Sequence, residues 1–390
     1  MTLTDNPVRH YPWKYRIVFA IMEWLGLGLI WLGRRPHHLD STRKILILEP
    51  FNLGDAVSLG TMFSPLKLRF PEAELHLWVK RCGAEYYASE SRINKIFEVN
   101  FPWTGANGTT FGWGAFLKQV RQLRKERYDI GIDTRGEPRT QILLLLAGCR
   151  RRLGHTNYMC SNVQLHGFLL TDSTGKLPAI PRSQMNSEIL KTIGCRVEQP
   201  MMIATPGKHP PGYHPRVVIH PGGGWKYKLW PTDRWIRFLN HLVERNSYDL
   251  LLIGAPGDKV HIDSILSQLQ HPLPTQLTTL LELKSVISRS DLFICLDSGP
   301  MHIASSLGKP ALALFGPAAI PVWRPIAPGS RVVHRQDDYP CAPCLSLMCI
   351  HPEFNCMAAI TVDMVMGAFD AMLIDLGLHN SSEPKIRVSI

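Results

Sequence analysis

The feature that most constrains this chain is an alternation of short, uninterrupted apolar runs with amphipathic stretches, begun twice. Lys44–Glu49 (KILILE), Glu74–Val79 (ELHLWV), Ile96–Val99 and Asp129–Asp133 (DIGID) form the first series, with helical patterning at about 56–69 and at Phe116–Glu126. Runs so rich in leucine and β-branched residues suit strands buried on both faces of a sheet. Strand-then-helix repetition winds such a sheet in parallel. The alternation restarts at Arg216–His220 (RVVIH) and continues through Asp249–Gly254 (DLLLIG), Asp291–Leu296 (DLFICL) and Ala311–Gly316 (ALALFG). Its helices include Asp233–Arg245, with Trp235, Phe238, Leu239 and Leu242 on one face, and a closing helix at about 361–376. Between the two series lies Thr205–Pro215 (TPGKHPPGYHP), whose four prolines and two glycines mark a boundary.

The expected fold class is therefore α/β, with two Rossmann-like doubly wound domains at 44–204 and 216–390 and a linker at 205–215. Two such halves are expected to leave a central cleft, lined by loops at the carboxyl ends of strands, where a ligand would be held. A length of 390 residues fits, because single cores stop growing near about 250 residues.

Charge narrows the partners. The formal net charge is +11, which predicts an anionic partner: nucleic acid, an acidic membrane or a phosphorylated substrate. No zinc-finger spacing, RNA-binding signature or helix-turn-helix cue is present, so nucleic acid is set aside. The segment 1–43 carries an apolar run, Ile17–Leu32 (IVFAIMEWLGLGLIWL), between Arg9, Lys14 and Arg16 on one side and Arg34–Arg35 on the other. At about 1.5 Å per residue it falls short of the ~30 Å hydrocarbon core. Glu23 at its middle would cost ~2.5 kcal/mol or more at the bilayer centre. Trp24, Trp31 and the flanking cations suit the headgroup layer of an anionic membrane, and a helix packed on the first domain is the alternative. No cleavable export signal is evident, so the expected location is cytoplasmic, peripheral on the inner face of the inner membrane.

Four loops at strand ends carry candidate chemistry. Asn52-Leu53-Gly54-Asp55 follows the first strand; Asp55 there is either a functional carboxylate or a helix cap. His220-Pro221-Gly222-Gly223-Gly224-Trp225-Lys226 runs on to Lys228, Trp230 and Pro231. Gly222 and Gly223 would let backbone N–H groups approach a ligand, with lysines at phosphate reach, though neither a Walker nor a dinucleotide spacing is present. Asp297-Ser298-Gly299-Pro300-Met301-His302 opens a helix whose positive end could face a diphosphate. Asp258, at the end of DLLLIG, could take ribose hydroxyls or simply cap a turn. No Asp-x-Asp pair occurs, so lysine and a helix N-terminus would have to replace a metal at a leaving diphosphate.

Together these loops resemble glycosyltransferase family 9, the heptosyltransferases of lipopolysaccharide assembly. The segments that carry the resemblance are Gly54–Asp55, HPGGGWKYKLWP and DSGPMHIASSLGKPALALFG, and it extends from Lys44 to the C-terminal helix; Ser298 stands where the family often has threonine. The resemblance implies a GT-B fold, with the acceptor on the N-terminal domain and the nucleotide sugar on the C-terminal one. It implies Asp55 as the base that deprotonates the acceptor hydroxyl and Lys228 as a catalytic and donor-binding cation. Gly222, Gly223, Lys228, Asp258, Asp297, Ser298, Gly299, Met301 and His302 would bind the donor. The implied reaction is an inverting transfer of heptose from ADP-heptose to a lipid-linked oligosaccharide of the lipopolysaccharide core, without a catalytic cofactor. A transferase using another sugar nucleotide, and a nucleotide-sugar-binding scaffold without transfer activity, are the alternatives.

Nine cysteines include one cluster, Cys341, Cys344, Cys349 and Cys356. Its spacing leaves a structural zinc site and free thiols both open, and a redox module as a third reading.

Overall fold

The structure, a computed structural model, describes residues 38–99, 101, 112–157, 167, 169–197, 213–344, 349–351 and 353–378. The chain divides into two compact units, Met1–Gln199 and Pro200–Ile390. Most of the anticipated linker, and all of the apolar run Ile17–Leu32, lie outside the described residues.

In the first unit, β1 (Lys44–Glu49), β2 (Glu74–Val79), β3 (Lys95–Glu98), β4 (Ile130–Asp133), β5 (Arg151–Gly154) and β6 (Asp172–Ser173) form one sheet in the order β3-β2-β1-β4-β5-β6. Every pairing is parallel. Around it run α1 (Leu53–Ser58), α2 (Gly60–Arg69), α3 (Arg81–Tyr86), α4 (Trp113–Glu126), α5 (Pro138–Leu146) and α6 (Arg182–Lys191). Ile45, Leu46, Ile47 and Leu48 are all wholly buried, as expected of a strand covered on both faces. One core cluster joins Leu46 and Leu48 to Trp78, Phe116, Val120 and Leu123, the last three turns of α4 presenting one apolar stripe.

The second unit repeats the plan with β7 (Arg216–His220), β8 (Asp249–Gly254), β9 (Thr275–Leu277), β10 (Leu292–Leu296), β11 (Ala311–Phe315) and β12 (Arg331–His334), in the order β12-β11-β10-β7-β8-β9. Its helices are α7 (Thr232–Arg245), α8 (Lys259–Leu266), α9 (Leu280–Ser288), α10 (Gly299–Ser306), α11 (Ile320–Trp323) and α12 (Val362–Asp375). Trp235, Phe238, Leu239 and Leu242 of α7 are wholly buried against the sheet with Phe369 and Met372 of α12. Burying four such side chains from one helix is worth ~1.5–3 kcal/mol each, ample to fix α7 in place.

In both sheets the strand order reverses direction at one point: between β1 and β4, and between β7 and β10. Adjacent crossovers leave in opposite directions there, and a crevice opens at the strands' carboxyl ends. The strands anticipated from sequence match those observed within a residue or two. The expected single helix at 56–69 is instead two, α1 and α2, with Leu59 between them.

Candidate functional site

Each reversal point carries a buried or half-buried ion pair built from the loops beside it. In the first unit, Asn52 precedes α1 without a side-chain capping bond, and Asp55 is the third residue of the helix. Asp55 therefore does not cap the helix as Asn52 would; its carboxylate is engaged elsewhere. Arg135, which follows β4, donates from Nη1 to Asp55 Oδ1, with the two side chains 5% and 11% exposed. Arg182, at the start of α6, places Nε 3.8 Å from the same oxygen. Arg182 Nη2 also donates to Glu49 Oε2 at 2.9 Å, and Thr134 Oγ1 donates to that oxygen at 2.7 Å. Burial, and secondarily the nearby charge of Asp55, push the Glu49 carboxyl up to about 7, against the pull of Arg135 and Arg182.

The turn that delivers Arg135 depends on Gly136. Its φ is +69°, and an added Cβ would stand 2.1 Å from the Asn157 carbonyl oxygen. Only glycine fits. His155, buried beside this turn, is held neutral, its pKa lowered to about 3 by burial and then by the charge of Arg182.

In the second unit, the loop after β7 leads through Gly222, Gly223 and Gly224 to a short 3₁₀ turn, Lys226–Lys228. The turn is anchored by Trp230, which is 1% exposed, donates from Nε1 to the Ile360 carbonyl at 2.9 Å and meets Trp235 edge-to-face. Lys228 Nζ lies 2.5 Å from Oδ2 of Asp297, just beyond the end of β10, and 5.1 Å from the Trp225 ring. Ser298 then precedes α10, with Gly299 its first residue. The structure thus brings Lys228, Asp297, Ser298 and Gly299 together from two loops 69 residues apart in sequence.

Other anticipated donor contacts fare differently. Met301, the third residue of α10, has its side chain wholly buried, so any part it takes in donor binding falls to its backbone. His302, half-buried on the same helix, meets the Trp323 ring edge-on at 6.0 Å. Asp258 turns its carboxylate into its own loop: Oδ2 accepts from the Ala255 N–H at 2.9 Å and lies 3.6 Å from His220 Nε2. Gly222 packs against it, and a Cβ there would meet Asp258 Oδ1 at 2.5 Å. A side chain at position 222 would have to displace the Asp258 carboxylate, whereas a Cβ at Gly223 would meet only ordinary van der Waals neighbours, Leu229 at 3.4 Å and Leu296 at 3.5 Å.

Cys341, Cys344, Cys349 and Cys356 are all free thiols. Cys356 is pushed up to about 11 by burial first and by the neighbouring thiols second, so the four share a neighbourhood. Among the described residues, however, no three His, Cys, Asp or Glu side chains are gathered into a metal-holding group. No helix among them is long and apolar enough to cross a membrane.

The residues that sequence reasoning missed are Glu49, Arg135 and Arg182. Arg135 had a signal, an Asp-Thr-Arg-Gly turn directly after a strand; Arg182 had none, being 127 residues from the carboxylate it approaches.

Two parallel sheets of the same reversed order, with a glycine-rich loop, a lysine and a helix N-terminus converging at one reversal point, give the architecture of the GT-B class. Comparison with known proteins makes the class specific. The family model described as glycosyltransferase family 9 (heptosyltransferase) matches residues 196–354. Lipopolysaccharide heptosyltransferase 3 of Escherichia coli K12 is 32% identical over 287 residues, 70% of this chain and 82% of that protein. Among solved structures, a glycosyl transferase family 9 protein from Veillonella parvula has a TM-score of 0.67 at 17% identity, covering 87% of this chain and 100% of its own. The E. coli ADP-heptose lps heptosyltransferase II has a TM-score of 0.60 at 19% identity, covering 85% and 99%. The chain belongs to glycosyltransferase family 9 and is a glycosyltransferase.

Proposed function

We propose that this enzyme transfers heptose from ADP-heptose to a lipid-linked oligosaccharide of the lipopolysaccharide core, with inversion at the anomeric carbon. The observation that carries the reading is the convergence of Lys228, Asp297 and the start of α10 at the reversal point of the second sheet. Similarity to a protein named for ADP-heptose and lipopolysaccharide supports the choice of donor and acceptor.

In the reaction, Asp55 accepts the proton of an acceptor hydroxyl as its oxygen bonds to the anomeric carbon. The bond from that carbon to the ADP oxygen breaks, and the leaving diphosphate keeps the electron pair. Negative charge grows on the diphosphate as that bond breaks, so Lys228 and the N–H groups opening α10 stabilise the transition state more than the bound donor. Lys228 is held for that task by Asp297 and by the anchoring of the loop at Trp230. No metal is required in this scheme. A lipid-linked acceptor, the +11 charge and the basic flanks of Ile17–Leu32 support peripheral work on the cytoplasmic face of the inner membrane.

Lys228→Ala tests the donor assignment. Calorimetry with ADP-heptose should show affinity reduced about 10-fold or more, with turnover reduced further, because an interaction strongest in the transition state costs more there. Unchanged affinity together with unchanged turnover would remove Lys228 from the site.

A further inference from the structure

The arginines around Asp55 act on a single oxygen. Arg135 Nη1 donates to Oδ1, and Arg182 Nε stands 3.8 Å from the same oxygen, a charge contact rather than a hydrogen bond. A carboxylate gripped this way keeps one oxygen's lone pairs for an incoming proton while its rotation is fixed. Arg182 is itself held by two bonds and by burial. Nη2 donates to Glu49 Oε2 at 2.9 Å, Nη1 donates to Asn186 Oδ1 at 3.1 Å, and Arg182 is only 2% exposed.

One turn along α6, Asn186 completes the arrangement. Its Nδ2 donates to the Ser58 carbonyl at 3.0 Å, at the end of the helix that bears Asp55. Ser58 Oγ in turn donates to the Asp55 carbonyl at 2.6 Å. Arg182 and Asn186 are four residues apart and so lie on one face of α6. That face touches both the carboxylate of Asp55 and the backbone that carries it. Glu49, at the end of β1, holds the far side of Arg182, and its other oxygen, Oε1, accepts from the Phe51 N–H at 3.1 Å.

Packing needs do not explain this. A buried cluster of carboxylates and guanidiniums is often no more stable than an apolar replacement of similar volume. What the cluster does supply is direction. Resting on the reading of Asp55 as the base, we propose that Arg135 and Arg182 are positioning residues, with Glu49 and Asn186 as their supports, which fix Asp55 so that Oδ2 faces the acceptor hydroxyl. Neither arginine need touch substrate. Misdirecting a catalytic group by about 1 Å can cost about 10²-fold in rate.

The test is a mutant cycle in the full-length enzyme, with Arg182→Gln, Asp55→Asn and the double variant assayed at saturating donor. Because residues acting as a unit are non-additive, Arg182→Gln should lower kcat about 10-fold or more in the parent and less than about 2-fold beside Asp55→Asn. Donor affinity should be unchanged throughout. Arg182→Lys keeps the charge and loses the fork that spans Glu49 and Asp55, so it should recover stability without recovering kcat. If Arg182→Gln does not fold, the same cycle is run with Arg182→Lys, and with Arg135→Lys for the other arm. An equal fall in kcat in both backgrounds, or none in the parent, overturns the positioning role while leaving Asp55 as base. Near-parental turnover in Asp55→Asn alone overturns the base itself.

Discussion

Replacing Asp55 by asparagine removes one charge from a pair that is almost wholly buried, and the structure assigns the change two separable costs. The first falls on stability. Arg135 is 5% exposed and would keep an acceptor oxygen but lose its counter-charge. Full loss of a partner from a buried pair costs ~3–5 kcal/mol, and retention of one acceptor reduces that to ~1–3 kcal/mol. The second cost falls on chemistry. Asparagine cannot take a proton, and loss of a general base costs about 10² to 10⁴ in rate, ~2.7 to 5.4 kcal/mol at ~1.36 kcal/mol per decade. The two are read separately by a melting curve and by turnover at saturating donor, at a temperature where the variant is fully folded. Turnover should fall by at least about 100-fold, donor affinity should hold, and the melting temperature should drop by several degrees. A folded variant within a few-fold of parental turnover would show that Asp55 belongs to the ion cluster only.

Further expectations concern neighbouring residues. Glu49 has its carboxyl raised to about 7, so the proton it binds stabilises the native state at low pH, and that contribution fades as pH rises through about 7. Accordingly the parent should lose melting temperature relative to Glu49→Gln between about pH 5 and about pH 8, and a pH-independent difference would contradict the burial of this group. Gly222→Ala should destabilise the loop after β7 by forcing Asp258 aside, while Gly223→Ala should be much milder; equal melting curves would refute the contact. Metal analysis of protein purified without chelator decides between the two readings of Cys341, Cys344, Cys349 and Cys356: about one zinc per chain would mean a tetrahedral site, and none, with all four reactive toward a thiol reagent in the native fold, would leave them as ordinary cysteines. Membrane fractions should release the protein at least partly at high salt or alkaline pH, and retention through both washes would mean a true anchor.

Much of this molecule is legible before any coordinates. KILILE, RVVIH, DLLLIG and DLFICL read as buried parallel strands because burial on both faces erases the polar alternation that would disguise them. Short edge strands escape the same reading: Asp172–Ser173 and Thr275–Leu277 contain too little apolar pattern to register. Site residues divide on a similar line. Lys228 and Asp297 are announced by the loops that hold them, each adjacent to a strand end. Arg182 is not, because its role comes from α6 being folded back against α1, a tertiary event that no local pattern records. Burial is not announced in the same way: Met301 lies within a site motif, yet its side chain is wholly buried.

The central claim is transfer itself, and product formation tests it most directly. Purified enzyme would be incubated with ADP-heptose and a heptose-accepting lipopolysaccharide core fragment, with ADP release and product mass followed together. Parallel reactions would replace the donor by UDP-, GDP- and other ADP-sugars. The account predicts stoichiometric ADP and an acceptor heavier by one heptose, linked with anomeric configuration opposite to that of the donor. It also predicts no dependence on added divalent metal. Saturable ADP-heptose binding without any transfer, or transfer only from a different nucleotide sugar, would contradict it.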